Sequence, residues 1–188
     1  IFYLHKEPEV SAQLHCDKHV VKMIIEYAQM LSTAHRMVDG EQYYGLSKNG
    51  RRIARWRHPN SNLENVLYKA SHINHPSAVW VRENAIQYQY MYDMFTALCD
   101  EYTYRYGKIH STERLLGDLL GYTPKGLEDN GFTEPPQCMP DYCKVKGNAI
   151  EGYKNYYINE KQYFAKWTKQ KEPEWYTEGT GTYSSYAS

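Results

Sequence analysis

The run from Ser11 to Arg36 constrains this chain most, because its helical periodicity comes with an unusual distribution of polar groups. At about 100° per residue, the polar side chains fall in a strip about 80° wide, and most of the remaining circumference is apolar. A surface helix has the opposite pattern, a narrow apolar stripe on a polar cylinder. We therefore expect a buried helix whose polar strip faces a groove. The strip contains His15, His19, Lys22, Glu26, Gln29 and Thr33, with Lys18 and Arg36 at its edge.

The ionisable groups of this strip indicate either a reaction site or an internal ion pair. Lys22 and Glu26 are four residues apart, so they can pair and offset the cost of burial. In a reaction site, a half-desolvated amine loses its proton more readily and attacks an electrophilic carbon, while Glu26 stabilises the resulting cation or transfers protons. We favour the reaction site. Its catalytic candidates on this helix are His19, Lys22 and Glu26, and its substrate-binding candidates are His15, Gln29 and Arg36.

The periodicity along the 188 residues predicts an all-α fold, a compact single helical domain with long irregular loops. A loop is expected over residues 40–62, an irregular excursion over 122–147 that packs back through Leu127, Phe132 and Met139, and a non-helical aromatic tail from Pro173. The predicted helices run from about Pro8 to Val38, Leu63 to His72, Pro76 to Tyr106, Thr112 to Leu120 and Ala149 to Gln170.

The charge distribution is more informative than the formal net charge of zero, which by itself argues against a nucleic-acid binder. No acidic residue occurs between Glu41 and Glu64, a segment that is rich in arginine. The chain also has 20 tyrosines, whose rings either fill the core or stack on bases. We predict that the arginines of this segment contact phosphates, with a solvated basic loop as the alternative. They are Arg51, Arg52, Arg55 and Arg57.

The sequence gives little support to metal or cofactor chemistry. His15, Cys16 and His19 suggest zinc at first, but Cys16 points about 100° away from the two imidazoles on a helix. We expect no metal and no cofactor. The four cysteines are irregularly spaced, no run is long enough to span a membrane, and the first residues do not resemble a signal peptide. These features predict an intracellular, cytoplasmic protein, in the host cytoplasm if it is encoded by a phage.

The segment Asp17–His19 followed by Glu26 resembles the first helix of the pyrimidine-dimer DNA glycosylase/AP-lyase family, of the phage endonuclease V type. In that family a D-x-H sequence precedes the catalytic glutamate by the same seven-residue step. The region 75–107 resembles the family's long central helix. Residues 159–161 and 173–176 resemble its last helix and aromatic C-terminus.

This resemblance implies a compact helical protein that binds double-stranded DNA and cleaves the glycosidic bond of a damaged or modified pyrimidine. It implies that Glu26 and His19 are catalytic, that the amine of Ile1 is the nucleophile, and that Trp175 and Tyr176 lie near the damaged site. The chain departs from the family at the positions flanking the glutamate, and it carries insertions around residues 51–62 and 122–147. Lys22 or Lys18 is the alternative nucleophile.

The leading hypothesis is therefore a DNA glycosylase, with or without AP-lyase activity. Two alternatives remain: a non-catalytic protein that binds a nucleotide or a partner protein on the same scaffold, and an enzyme that acts on free nucleotides. Salt dependence separates them, because phosphate contacts to DNA release counterions.

Overall fold

A computed structural model describes residues 1–181 of this protein. Two long helices, α2 (Asp17–Asp39) and α5 (Ala85–Tyr106), pack against each other, and α1 (Pro8–Leu14) packs on α5. The prediction of a mostly helical fold is confirmed. The shorter helices are α3 (Ser61–Val66), α4 (Pro76–Val81), α6 (Ser111–Leu116), α7 (Ala149–Glu160) and α8 (Glu174–Gly179), with 3₁₀ turns at Leu119–Gly121 and Asp141–Cys143.

The core is rich in aromatic and sulfur-containing side chains. Apolar residues of α2 and α5 interlock there with tyrosines of α7. On α2, however, Val21 and Ile25 are each 39% exposed, so the expected burial of nearly the whole circumference is too broad. The largest fully buried side chains include Tyr27, Ile24 and Leu31 of α2, Met91, Met94, Phe95 and Leu98 of α5, and Tyr153 and Tyr157 of α7.

The prediction of one helix from Pro8 to Val38 is wrong, because the backbone is extended at His15 and Cys16. The ring of His15 turns back and its Nδ1 binds the Ser11 carbonyl at 2.6 Å. The amide of Asp17 binds the Lys166 carbonyl at 2.8 Å, so the start of α2 is fixed to the segment after α7. A tertiary contact therefore replaces the helical hydrogen bonds at this point.

A similar interruption divides the predicted helix from Pro76 to Tyr106. Asn84 is extended and its side chain accepts a hydrogen bond from the amide of Gln87, which starts α5 as a separate helix. The end of α5 agrees with the sequence, because Gly107 adopts the left-handed conformation that a helix C-terminus favours.

The loop predicted over residues 40–62 is wrong for most of its length. Strands β1 (Glu41–Leu46) and β2 (Arg52–Arg57) form an antiparallel hairpin, in which Tyr43 pairs with Arg55 and Tyr44 with Ala54. Its turn is closed by Gly50 with a φ of 76°. Tyrosine, isoleucine and tryptophan favour strands, but their alternation is interrupted by arginine on both faces, which hides the pattern.

The C-terminal third follows the sequence prediction in part. The excursion 122–147 is irregular apart from one 3₁₀ turn, and Leu127 and Met139 pack against the core as expected. Helix α7 starts at the Asn148 cap, but it ends at Glu160, ten residues before the predicted position. The tail is also not wholly non-helical, since Trp175 lies in α8; residues 182–188 of the predicted tail lie outside the described residues.

Between residues 1 and 181, no helix is long and apolar enough to cross a membrane.

Candidate active site beside helix α2

A cavity of about 320 Å³ lies along the polar strip of α2. Its walls come from the first two residues, the connection into α4, the excursion and α7. Five predicted site residues meet there: Ile1, His19, Lys22, Glu26 and Gln29. The other lining residues are Phe2, Met23, Met30, Ser71, His72, His75, Ala78, Cys138, Tyr153, Tyr156 and Lys161.

His19 is uncharged and is hydrogen-bonded to Tyr157. The Tyr157 hydroxyl accepts a hydrogen bond from the Cys16 amide at 3.1 Å and lies 2.7 Å from His19 Nδ1. The Cys16 sulfur is also within reach of this hydroxyl. We assign the hydroxyl proton to Nδ1, and the ring proton then resides on Nε2. Burial, together with nearby positive groups, lowers the pKa of His19 to about 2. With this assignment, the neutral imidazole is a hydrogen-bond donor beside the cavity rather than a base.

Glu26 is the only carboxylate that lines the cavity, within the part of the chain that the structure describes. Lys22 and Lys161 line the same cavity, yet neither lies within 4.0 Å of a Glu26 oxygen in any ion pair of residues 1–181. The predicted alternative, a Lys22–Glu26 pair that exists only to satisfy buried charge, is therefore not what the structure contains. Both charged groups remain accessible to a ligand.

Aromatic rings form one side of the cavity. The Phe2 ring stacks on His19 with centroids 4.0 Å apart and lies 6.1 Å from the Tyr156 ring at an angle of 24°. Lys161 Nζ lies 4.4 Å from the centre of the Tyr156 ring. A flat apolar surface next to ammonium groups suits a planar ring that carries a phosphate.

Ile1 is buried at the cavity wall beside these groups. In a chain that begins at Ile1, burial lowers the pKa of its α-amine, an effect that Cys138 and Glu26 partly oppose. Such an amine is neutral and nucleophilic at a lower pH than an exposed one.

His15 has a structural role instead of the predicted binding role. Its Nδ1–H donates to the Ser11 carbonyl, and its Nε2 accepts from the Tyr27 hydroxyl at 2.9 Å. The same hydroxyl accepts from the Phe2 amide at 3.0 Å. Burial lowers the pKa of His15 to about 3, so this chain of hydrogen bonds holds a neutral ring that positions Phe2 at the cavity.

Arg36 is likewise absent from the cavity lining. It is buried, and its guanidinium donates to the carbonyls of Tyr68, Trp56, Glu64 and Leu67 and to the Glu64 carboxylate at 2.7 Å. All five of its N–H groups are used, which leaves none for a substrate. Arg36 joins α2 to β2 and α3.

The C-terminal aromatic residues also lie away from the cavity lining. Tyr176 is buried against Trp167, with ring centroids 4.9 Å apart. Trp175 is half-buried, and its ring centroid lies 5.9 Å from that of Tyr157. Trp175 therefore supports the tyrosine that fixes His19.

The four predicted phosphate-binding arginines lie on or next to the β1–β2 hairpin. Arg51, Arg52 and Arg57 are exposed, and Arg55 is half-buried. The guanidinium of Arg52 lies 4.0 Å from the Tyr44 ring centre and that of Arg57 4.3 Å from the Tyr43 ring centre. Stacking on tyrosine leaves the guanidinium edges available for phosphate.

Sequence reasoning missed His72, His75 and Cys138 and treated Lys161 only as part of a resemblance. The first three lie in loops or at a helix start, where no periodicity indicates what they face. A wider cleft of about 590 Å³ elsewhere does not compete as a DNA site, because its charged lining residues are all acidic and repel phosphate. They are Glu7, Glu9, Asp93, Asp100 and Glu101.

Comparison with known proteins found no matching family model, no matching curated protein and no matching solved structure.

Proposed function

We propose that this protein is a DNA glycosylase that removes a damaged or modified pyrimidine from duplex DNA. The observation that carries the proposal is the grouping in one cavity of Glu26, a carboxylate with no ion-pair partner among residues 1–181, with the neutral His19 and the amines of Lys22 and Lys161. The resemblance of residues 17–26 to the endonuclease V type supports the same assignment.

The cavity suits one nucleotide better than an extended polymer. Its volume of about 320 Å³ is at the small end of the range for ligand sites. An enzyme acting on a base in a duplex must take that base out of the stack and hold it between apolar or aromatic groups. In this proposal the rings of Phe2 and Tyr156 contact the flipped base, while Lys22 and Lys161 neutralise its phosphate.

The chemistry assigns a separate role to each group. The bond between C1′ and the base nitrogen breaks, the base leaves with the bonding electrons, and positive charge develops on the sugar. The carboxylate of Glu26 stabilises that charge, and His19 Nε2–H donates a hydrogen bond to the departing base, which takes its proton from solvent. An amine then bonds to C1′ and gives up a proton to Glu26. In a glycosylase without lyase activity, water attacks C1′ instead of the amine and gives up its proton to Glu26.

The β1–β2 hairpin provides the contact to DNA outside the cavity in this proposal. Its arginines are flanked by tyrosines, and Glu41 is the only acidic residue of the two strands. A two-stranded ribbon of this kind fits the major groove or lies along the phosphates.

The experiment is base release from a panel of duplexes, each with one damaged or modified pyrimidine, followed by mass spectrometry. Borohydride is added in parallel to trap any amine–sugar intermediate, and the trapped peptide identifies the amine. We expect release from at least one duplex by the wild type, and release by Glu26→Gln that is slower by about 10²–10⁴-fold. Glu160→Gln, a change of the same type at the end of α7 outside the cavity lining, is the matched control and should remain active.

Binding of duplex DNA without base release would favour the non-catalytic alternative. Turnover of free nucleotides with no salt-dependent DNA binding would favour the nucleotide enzyme, and either result would overturn the proposal.

A further inference from the structure

A second polar cluster lies at the other end of α2, outside the cavity of the proposed reaction. It contains His35 and Asp39, one helical turn apart on α2, and His58, which directly follows β2. One ligand atom of each residue lies within 4.8 Å of the other two. Two imidazoles and a carboxylate therefore lie close together where α2 meets the end of the hairpin.

His35 presents an unprotonated nitrogen to this cluster. The Tyr88 hydroxyl donates to the Leu120 carbonyl at 2.6 Å, so it accepts from His35 Nε2–H at 2.8 Å. Burial lowers the pKa of His35 to about 4, with a contribution from His58 that Asp39 and the Tyr122 carbonyl partly oppose. In this neutral ring, Nδ1 carries a lone pair that accepts no hydrogen bond from the described residues, although His35 is only 2% exposed. The Tyr122 carbonyl is itself an acceptor and cannot satisfy that lone pair.

His58 also has a buried ring nitrogen without a hydrogen-bond partner among the described residues. Its Nδ1 accepts a hydrogen bond from the Asn60 amide at 3.0 Å, while its buried Nε2 has no partner among residues 1–181. His58 is 8% exposed. A buried polar atom without a partner costs free energy, and two such atoms on residues of one close cluster indicate a missing ligand beside them.

Asp39 supplies the negative charge. Its two oxygens accept hydrogen bonds from the Lys125 and Gly126 amides at 2.7 and 2.8 Å, which fix the carboxylate and leave a further lone pair on each oxygen.

We propose that His35 Nδ1, His58 Nε2 and an Asp39 oxygen bind a divalent transition metal ion of the zinc type. Two imidazoles and a carboxylate are a donor set that such ions prefer, and zinc bonds of about 2.0–2.2 Å place neighbouring ligands about 3.4 Å apart. The ligand atoms therefore move inward by about an ångström. The hydrogen bond from His35 Nε2–H to Tyr88 matches the outer-shell contact that orients a metal-binding histidine.

Ligation by His58 moves its ring proton from Nε2 to Nδ1, so the number of protons is unchanged. The hydrogen bond from Asn60 is lost, and its amide turns to water, which the exposed position of Asn60 allows. An adjoining cavity of about 620 Å³ leaves room for water at the remaining coordination positions. The ion would tie the base of the β1–β2 hairpin to α2, and this proposal differs from the expectation from the sequence that no metal is bound.

The test is calorimetric titration of chelator-treated full-length protein with Zn²⁺, alongside thermal melting with and without Zn²⁺. We compare the wild type with Asp39→Asn and His58→Gln. The control is His72→Gln with His75→Gln, which removes two exposed imidazoles outside the cluster. We expect one equivalent of zinc and a raised Tm in the wild type and the control, and affinity at least tenfold weaker in the two cluster variants.

Equal zinc affinity in the wild type, Asp39→Asn and His58→Gln would overturn the proposal, as would no zinc uptake by the wild type. Circular dichroism confirms that each variant is folded, and Asp39→Asn, which keeps a side-chain oxygen, decides the matter if His58→Gln does not fold. Base release is not part of this readout, so the outcome is independent of the proposed glycosylase activity.

Discussion

The middle of α2 and its two ends carry the same kinds of polar side chain, but these side chains have different partners. At the N-terminal end, Asp17 accepts hydrogen bonds from Arg105 and from the backbone and side chain of Thr168. Near the C-terminal end, the Arg36 guanidinium donates all five of its N–H groups to other residues of the protein. In the middle, Lys22 and Glu26 face a cavity instead.

This difference separates residues that build the fold from residues that are available for chemistry. A polar group that is fully hydrogen-bonded inside the protein resists change and has nothing left to offer a substrate. The comparison predicts that changes at the ends of α2 affect stability, while changes in the middle affect function.

The largest stability effect is expected from Arg105→Met. The Arg105 guanidinium forms salt bridges with Glu101 at 2.9 Å and with Asp17 at 3.0 Å. Removal of the guanidinium leaves these two buried carboxylates with fewer partners. We expect a loss of about 3–5 kcal/mol in the free energy of unfolding. Urea denaturation measures it, with the exposed Arg114→Met as control. A loss no larger than that of the control would mean that the N-terminal end of α2 is not held by this network.

Trp175→Ala should have the next largest effect, a loss of about 2 kcal/mol of stability, because its half-buried ring packs against Tyr157. DNA affinity of the folded variant should change little. If the variant melts at the wild-type temperature but binds DNA about tenfold more weakly, Trp175 belongs to the binding site, as the family resemblance implies.

Acidification should destabilise the protein. The folded-state pKa values of His15, His19 and His35 are about 3, 2 and 4, below the ordinary value of 6.5. The unfolded chain therefore binds more protons, and stability falls as the pH drops through 6.5 and continues to fall until the folded-state values are reached. We expect a loss of about 1–2 kcal/mol per histidine between pH 7 and pH 5.

Denaturant titrations at intervals of half a pH unit measure this loss. Stability that does not change from pH 7 to pH 5 would show that these rings are not buried as neutral groups. His15→Gln should reduce the steepness of the curve, because one of the three contributing groups is gone.

The smallest effect is expected on the hairpin. Arg51→Gln with Arg57→Gln should weaken binding to all duplex sequences alike and reduce the slope of log affinity against log salt by about one unit per lost phosphate contact. Arg52→Gln tests the opposite face of the ribbon, since Arg52 stacks on Tyr44 and Arg57 on Tyr43. Unchanged slopes in both variants would leave these arginines as solvated surface groups.

The sequence predicted the cavity-facing residues of α2 well, because helical periodicity alone places His19, Lys22 and Glu26 on one face. It could not separate them from His15 and Arg36, because periodicity does not show which polar groups find partners in distant segments. The tyrosine that fixes His19, Tyr157, lies 138 residues away in the chain. The hairpin was missed for a local reason, since arginines occupy both faces of β2 and remove the alternation typical of a strand.

The most direct test of the account is base release by Glu26→Gln, measured together with its stability. This change keeps the shape of the side chain and removes its charge, and Glu26 forms no ion pair or hydrogen bond with the described residues that would be lost. We expect release from damaged duplex DNA to fall by about 10²–10⁴-fold with the Tm unchanged. Wild-type rates of release in a stable Glu26→Gln protein would contradict the assignment of the middle of α2 as the reaction site.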